Sequence, residues 1–256
     1  GKTVRECLKE CGIDPDHVDD AKLPEGYAKA HLELHIEQGA VLESKGLSVG
    51  VVTGICCQIR GEVTIKGTAS HAGTTPMDLR KDALAAAAEC MLEIEDEAKK
   101  YPQAVATVGK ITAFPGGVNV VPGEVKFSID MRNQKAALRD AMFDKCVERM
   151  KAVCEKRGVS LDVNVLMKDD EGKPCADHIQ DIVAESCEKA GLPVFRMPSG
   201  AGHDSSTFAD FCPMGMIFIR SKDGLSHNKD EYNSPEDCAA GAEVLYHTLL
   251  KLASED

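Results

Sequence analysis

Residues 30–39 read AHLELHIEQG, and their alternation decides what kind of fold the chain builds. In an extended strand successive side chains point to opposite faces, so Leu32, Leu34 and Ile36 share one face and His31, Glu33, His35 and Glu37 the other. One face suits a core. The other is made of imidazoles and carboxylates, the donors that a Zn²⁺-like cation takes. A strand stopping at Gly39 would present them at the end of a sheet, where α/β proteins bind ligands. A charged, solvent-facing edge strand has the same alternation, so residues elsewhere must separate the two readings.

Upstream, Val4 to Cys11 suits a short helix ended by Gly12, and Asp14-Pro15 and Leu23-Pro24-Glu25-Gly26 mark an acidic loop. Downstream, residues 38–45 suit a helix closed by Gly46, and the apolar run 47–57 a strand, giving β-α-β. From Gln58 the pattern changes. An alternating strand (58–66) leads through the loop GTASHAGTTP (67–76) into a long helix (78–100). Strands at 105–114 and 118–131 flank Pro115-Gly116-Gly117, and a helix over 135–157 and a strand over 159–167 follow. This β-α-β-β-α-β block has the order of a split-βαβ, ferredoxin-like module. A helix over 176–190, strands at 194–197 and 214–220 and a closing helix over 234–253 restore α/β alternation. The expected architecture is therefore α/β. A catalytic domain is entered at 1–57 and resumed at 170–256, with an inserted ferredoxin-like domain at 58–169.

With 256 residues, 43% of them hydrophobic, the chain can bury a substantial core. A formal charge of −12 repels phosphate backbones, so nucleic acid is not an expected partner. No apolar run approaches the ~20 residues that span a bilayer, and no signal segment opens the chain, so no membrane partner is expected either. Eleven scattered cysteines without a CxxC pair fit free thiols in a reducing cytoplasm. The first residue is Gly1 and the chain opens inside a helical pattern, as a fragment or a processed protein would.

Three more histidines sit in glycine-containing loops: His71 in SHAGTTP, His203 in SGAGHD and His227 in GLSHNKDE. Small neighbours let backbone or substrate approach such side chains closely. Arg132 follows Ser128-Ile129-Asp130-Met131 at a strand end, where its planar fork would match a substrate carboxylate. A surface pair between Asp130 and Arg132 is the plain alternative.

Together the segments LELHIEQG, GTASHAGTTPM, GGVNVVPGEVKFSIDMR, MPSGAGHD and GLSHNKDEY, in this order, resemble the allantoate amidohydrolase and N-carbamoyl-L-amino-acid hydrolase family, which includes β-ureidopropionase. These are dinuclear metallo-amidohydrolases related to aminoacylases and metal-dependent exopeptidases. The resemblance implies a metallo-exopeptidase-like catalytic domain holding two divalent ions, Zn, Mn, Co or Ni, with His35 on one and His227 on the other. It implies that Gln38, Gly202 and His203, and at the hinge Gln58, contact the substrate. The insertion is then a lid through which the protein forms a homodimer. It would carry His71 to polarise the scissile carbonyl, and Asn119 and Arg132 to bind substrate, with Arg132 on its carboxylate.

The implied reaction is cleavage of the ureido or N-carbamoyl C–N bond of a small acid, an N-carbamoyl-L-amino acid or allantoate. The family's other ligands belong to an HxD motif, a bridging Asp and a Glu-Glu pair, and no HxD followed by a Glu-Glu pair occurs here. The expectation is a chain truncated at its N-terminus that binds metal weakly and does not turn over by itself. An aminoacylase or dipeptidase of the same superfamily, and a non-catalytic dimerisation or small-molecule-binding module, are the competing readings.

Overall fold

Side-chain caps set the first elements of the computed structural model, which describes residues 1–24 and 26–255; Glu25, in the expected acidic loop, and Asp256 lie outside the described residues. Thr3 and Glu6 form a reciprocal capping box that starts α1 (Val4–Glu10). After β1 (His31–Ile36) the chain turns through Gln38, whose φ of 58° is left-handed. Glu37 then accepts the N–H groups of Val41 and Leu42 at 2.7 and 2.9 Å, capping α2 (Val41–Ser44). This corrects two expectations. Glu37 is buried as a cap and not displayed beside His31, Glu33 and His35, and the helix expected over 38–45 is four residues long.

So short a helix cannot return the chain across the sheet. Accordingly β2 (Val49–Ile55) does not pair with β1 in the expected β-α-β unit, and a strand from much later in the chain lies between them.

β3 (Cys57–Lys66) follows at once, then the two-residue β4 (Ser70–His71). The helix expected from residue 78 starts later, as α3 (Ala83–Ala98), because the Asp82 carboxylate accepts the N–H groups of Leu84 and Ala85. The strands expected at 105–114 and 118–131 are each broken in two, into β5 (Val105–Thr107) and β6 (Ile111–Phe114), and into β7 (Val120–Val121) and β8 (Glu124–Asn133). α4 (Ala136–Arg157) ends at Gly158, whose φ of 66° closes the helix, and β9 (Ser160–Lys168) returns antiparallel to β3.

The resulting antiparallel sheet has the order β5-β8-β3-β9, with β6 also on β8, which is the strand order of a split-βαβ module. Its buried face, including Val63, Ile65, Phe127 and Ile129, packs on Ala86, Ala87 and Ile94 of α3 and Met142 and Met150 of α4. Across β3 and β8, Gln58 stands opposite Arg132.

The remaining elements complete the other five-stranded sheet: β10 (Lys173–Pro174), α5 (Asp177–Lys189), β11 (Arg196–Ser199), α6 (Ser205–Phe208), β12 (Met214–Ile219) and α7 (Pro235–Ala253). β12 lies between β1 and β2, parallel to the first and antiparallel to the second, while β11 runs parallel to β2. All six β12 residues are buried. Ile217 packs with Ile179 and Val244 from α5 and α7, and Met214, Met216 and Phe218 pack with Leu42 and Met197. A strand covered on both faces reads as a continuous apolar run.

Gly215 lets α5 sit close, since a Cβ there would stand 2.2 Å from Ile179 Cγ2. Gly215→Ala should therefore lose roughly 1–3 kcal/mol of stability through overpacking. An unchanged urea midpoint would show that α5 is not packed as tightly as described.

The two sheets are joined where Cys56–Gln58 and Asp169–Gly172 cross. There the Asp169 N–H donates to Gln58 O at 3.0 Å, and the Gln58 N–H donates to Asp169 Oδ2 at 2.9 Å. Arg139 of α4, 0% exposed, donates from Nη1 to Asp169 O at 2.7 Å and to Gln58 O at 3.4 Å.

Candidate metal and substrate site

Strand alternation turns His31, Glu33 and His35 to one side of β1, and α6 packs against that strand. Among the described residues Glu33 is held through one oxygen: Oε2 accepts the Ser205 N–H at 2.8 Å and the Ser205 hydroxyl at 2.6 Å. Its Oε1 lies 3.6 Å from Nδ1 of His203, a side chain that is 0% exposed. His203 Nε2 stands 2.6 Å from Ser199 Oγ, and the ring meets that of His35 edge-on with centroids 4.6 Å apart. His35 Nδ1 lies 2.8 Å from Ile36 O, so Nε2 is its uncommitted nitrogen. Glu33, His35 and His203 each offer one ligand atom, all within 4.8 Å of one another.

His31 flanks this group, stacked on Phe208 at 4.0 Å, and its buried Nε2, 3.9 Å from Glu33 Oε2, makes no hydrogen bond among the described residues. Burial and the neighbouring His35 push the His203 imidazole below its usual range against the opposing pull of Glu33, which favours the neutral, metal-ligating form. Two imidazoles, a carboxylate and an orphaned buried Nδ1 are a donor set that fits a Zn²⁺-like ion.

A cavity of about 510 Å³ opens beside this group, lined by Gln38, Arg132, Gly200, Phe218, Ser226 and His227. Phe218 also packs against the rings of His35 and His203. The left-handed backbone at Gln38 (φ 58°) and His227 (φ 55°) turns the two side chains together: Gln38 Nε2 donates to Ser226 Oγ at 3.0 Å and lies 3.4 Å from His227 Nε2.

Across the cavity, Arg132 Nε and Nη2 donate to Asp130 at 2.7 and 2.8 Å, and Nη1 donates to Gly200 O at 2.7 Å. The Asp130–Arg132 pair suggested as the plain alternative is thus present, yet the guanidinium also reaches the cavity wall. Burial would raise the Asp130 carboxyl, but Arg132 and Arg60 outweigh it and hold it below the usual carboxylate range.

The other expected residues lie elsewhere. Gln58 and Gly202 line an adjoining cavity of about 860 Å³ with Cys56 and Asp169. His71 and Asn119 sit exposed at the β4–β7 ribbon, where the Ala72 N–H donates to Asn119 O and the Gly73 N–H to His71 Nδ1. His35 and His203 therefore come together, and Gln38, Arg132 and His227 share one cavity. Gln58 and Gly202 border the next, and among the described residues His71 and Asn119 make no hydrogen bond to either group. Sequence reasoning placed Glu33 on the donor-bearing face of β1 without naming it among the ligands, and it missed Ser199 and Ser205. Their contacts with His203 and Glu33 carry no spacing signal that one sequence could reveal.

The family model described as Peptidase family M20/M25/M40 matches residues 9–251. An N-carbamoyl-L-amino acid amidohydrolase of Geobacillus stearothermophilus is 45% identical over 255 residues, covering 99% of this chain and 62% of that protein. The allantoate amidohydrolase of Escherichia coli (strain K12) is 39% identical over 255 residues, covering 99% of this chain and 61% of that protein. The crystal structure of an amidase of the hydantoinase/carbamoylase family from Burkholderia multivorans superposes with a TM-score of 0.90 at 33% identity, covering 100% of this chain and 61% of that one. The chain thus spans less than two thirds of the length of these relatives.

Proposed function

We propose, on the premise that this chain belongs to peptidase family M20/M25/M40, that it forms much of a metal-dependent amidohydrolase cleaving the ureido or N-carbamoyl C–N bond of a small acid. One observation carries the reading: a cluster of imidazoles and a carboxylate stands beside a cavity whose far wall is an arginine from the other sheet. In this reading His35 holds one divalent cation and His227 a second. Such ions, when bound, polarise a carbonyl and lower the pKa of water toward neutrality.

The chain's own residues do the positioning. Arg132 already directs Nη1 at a carbonyl acceptor, Gly200 O, and a substrate carboxylate entering the cavity would take over that hydrogen bond with a stronger, charged partner. Gln38 orients the ureido end, and movement of 58–169 as a lid excludes water. The exposed ribbon bearing His71 and Asn119 is proposed to reach a second copy's site in a homodimer, with His71 donating to the scissile carbonyl's developing oxyanion. Alone, the 256 residues are proposed to bind metal weakly and not to turn over.

Turnover of N-carbamoyl- against N-acetyl-L-amino acids by the complete protein tests the reaction class, and preference for the acetyl substrate would move the assignment to an aminoacylase. Arg132→Met in that protein should raise KM for a carboxylate substrate by about 10²-fold, the loss of a charge-assisted pair worth roughly 1.5–3 kcal/mol. A KM within twofold of the parent would remove Arg132 from the substrate's acid group.

A further inference from the structure

We propose that Asp237, buried at the start of α7, is the positioning residue for the loop 221–233 and acts through Arg220, so that Ser226 and His227 meet Gln38 at the cavity wall. The inference rests on the proposed function for what His227 and Gln38 do, and on the fold alone for what Asp237 does.

One carboxylate ties both ends of this loop. Asp237 Oδ2 accepts from Arg220 Nε at 3.1 Å and Nη2 at 2.9 Å where β12 ends, and from the Ser234 hydroxyl at 2.6 Å where α7 begins. Beside it the Asn233 side-chain amide donates to Arg220 O at 2.7 Å and the Lys222 N–H to Tyr232 O at 3.0 Å, which closes the neck. The N-terminus of α7 does not need this carboxylate, because Ser234 Oγ already accepts the Asp237 N–H at 3.1 Å and Pro235 fills the first helical position. Nor is the pair built for stability alone. Asp237 is 2% exposed and its Oδ1 makes no hydrogen bond among the described residues, and a buried charge so incompletely matched adds little stability while it fixes an arrangement.

The loop cannot hold its shape by itself. Asp223 (φ 56°) and His227 (φ 55°) have left-handed backbone, as has Gln38 (φ 58°), and non-glycine residues keep that conformation only where their surroundings impose it. Three of the four such residues among the described residues thus gather at one contact. The neck grips the Gln38 backbone, whose N–H donates to Ser221 Oγ at 3.2 Å, and the tip takes its side chain, Nε2 donating to Ser226 Oγ at 3.0 Å. Between them the loop rests on the turn after Gln38: a Cβ on Gly224 would stand 2.8 Å from that of Ala40. A shifted neck therefore moves Ser226 and His227 against Gln38, and a misplacement of about 1 Å can cost about 100-fold in rate.

Amide exchange and turnover of the complete protein test this. In Asp237→Ala the amides of Gln38, Lys222 and His227 should exchange at least about tenfold faster while that of Ile217 keeps its rate. With an N-carbamoyl-L-amino acid, kcat should fall between about tenfold and about 100-fold. Asp237→Asn should stay within about fivefold of the parent, because its amide oxygen still accepts from Arg220 and Ser234. Gly215→Ala, destabilised elsewhere in the same sheet, should keep kcat within about twofold, which separates misplacement from lost stability. Should Asp237→Ala fail to unfold cooperatively, Arg220→Gln replaces it in both measurements, its side chain being partly exposed. Parental exchange at Gln38, Lys222 and His227, a kcat loss no larger than that of Gly215→Ala, or an Asn variant as slow as the Ala variant would each overturn the proposal. Failure of the parent to hydrolyse carbamoyl acids would overturn only the functional reading, and the exchange rates would still decide this one.

Discussion

His35→Ala in the complete protein should lower hydrolysis of an N-carbamoyl-L-amino acid at least about a thousandfold, or about 4 kcal/mol of transition-state stabilisation. The imidazole stands in the middle of the donor group, edge-on to His203 and beside Phe218 at the cavity wall. Its removal takes away the nitrogen proposed to hold a divalent ion. The fold should tolerate the change. His35 is half-buried, its recorded hydrogen bond runs only to the next residue's carbonyl, and neighbouring Leu32 and Leu34 supply the apolar contacts of β1. A thermal midpoint within a few degrees of the parent, together with lost turnover, is the expected pair of results. Retention of a tenth of the parent rate would remove His35 from the chemistry.

Arg139→Met should cost roughly 1–3 kcal/mol of stability, the range for leaving buried acceptors unmatched, since Asp140 is partly exposed and keeps Lys168 at 2.9 Å. Methionine fills much of the volume but donates nothing. Asp169 O and Gln58 O would lose their donor at the crossing of the two chain segments that join the sheets, and Asp140 would lose the paired Nε and Nη2 contacts at 3.0 and 2.8 Å. Because the damage sits at the joint, the amides of Gln58 and Asp169 should exchange hydrogen faster than those in the middle of β3 and β8. Urea unfolding measures the first effect and hydrogen exchange the second. A loss below about 1 kcal/mol would mean that water reaches these carbonyls and that Arg139 does not lock the crossing.

Periodicity located the central strands of the antiparallel sheet, because β3 and β8 each bury every second side chain over most of their length and that pattern is written directly in the residues. The end of α4 at Gly158 was legible for a similar local reason. Local reasoning failed where one residue could serve two purposes. Glu37 continues the polar alternation of β1 and is also a helix cap, and Asp82 looks like the interior of a long polar helix but starts one. Nothing in the neighbouring residues ranks those uses, since the choice depends on where the chain turns next.

What the sequence determined by itself was most of the longer elements, the polar face of β1 and, through long quoted motifs, the family. The tertiary structure alone decided who meets whom. Hydrophobic alternation says which way a side chain points but not which strand lies alongside, so only the fold could insert β12 between β1 and β2. By the same reasoning Glu33 found its anchor in Ser205, 172 positions away, and His203 came to rest against His35. Contacts of that kind form when separately patterned surfaces bury one another, and no local period encodes the partner.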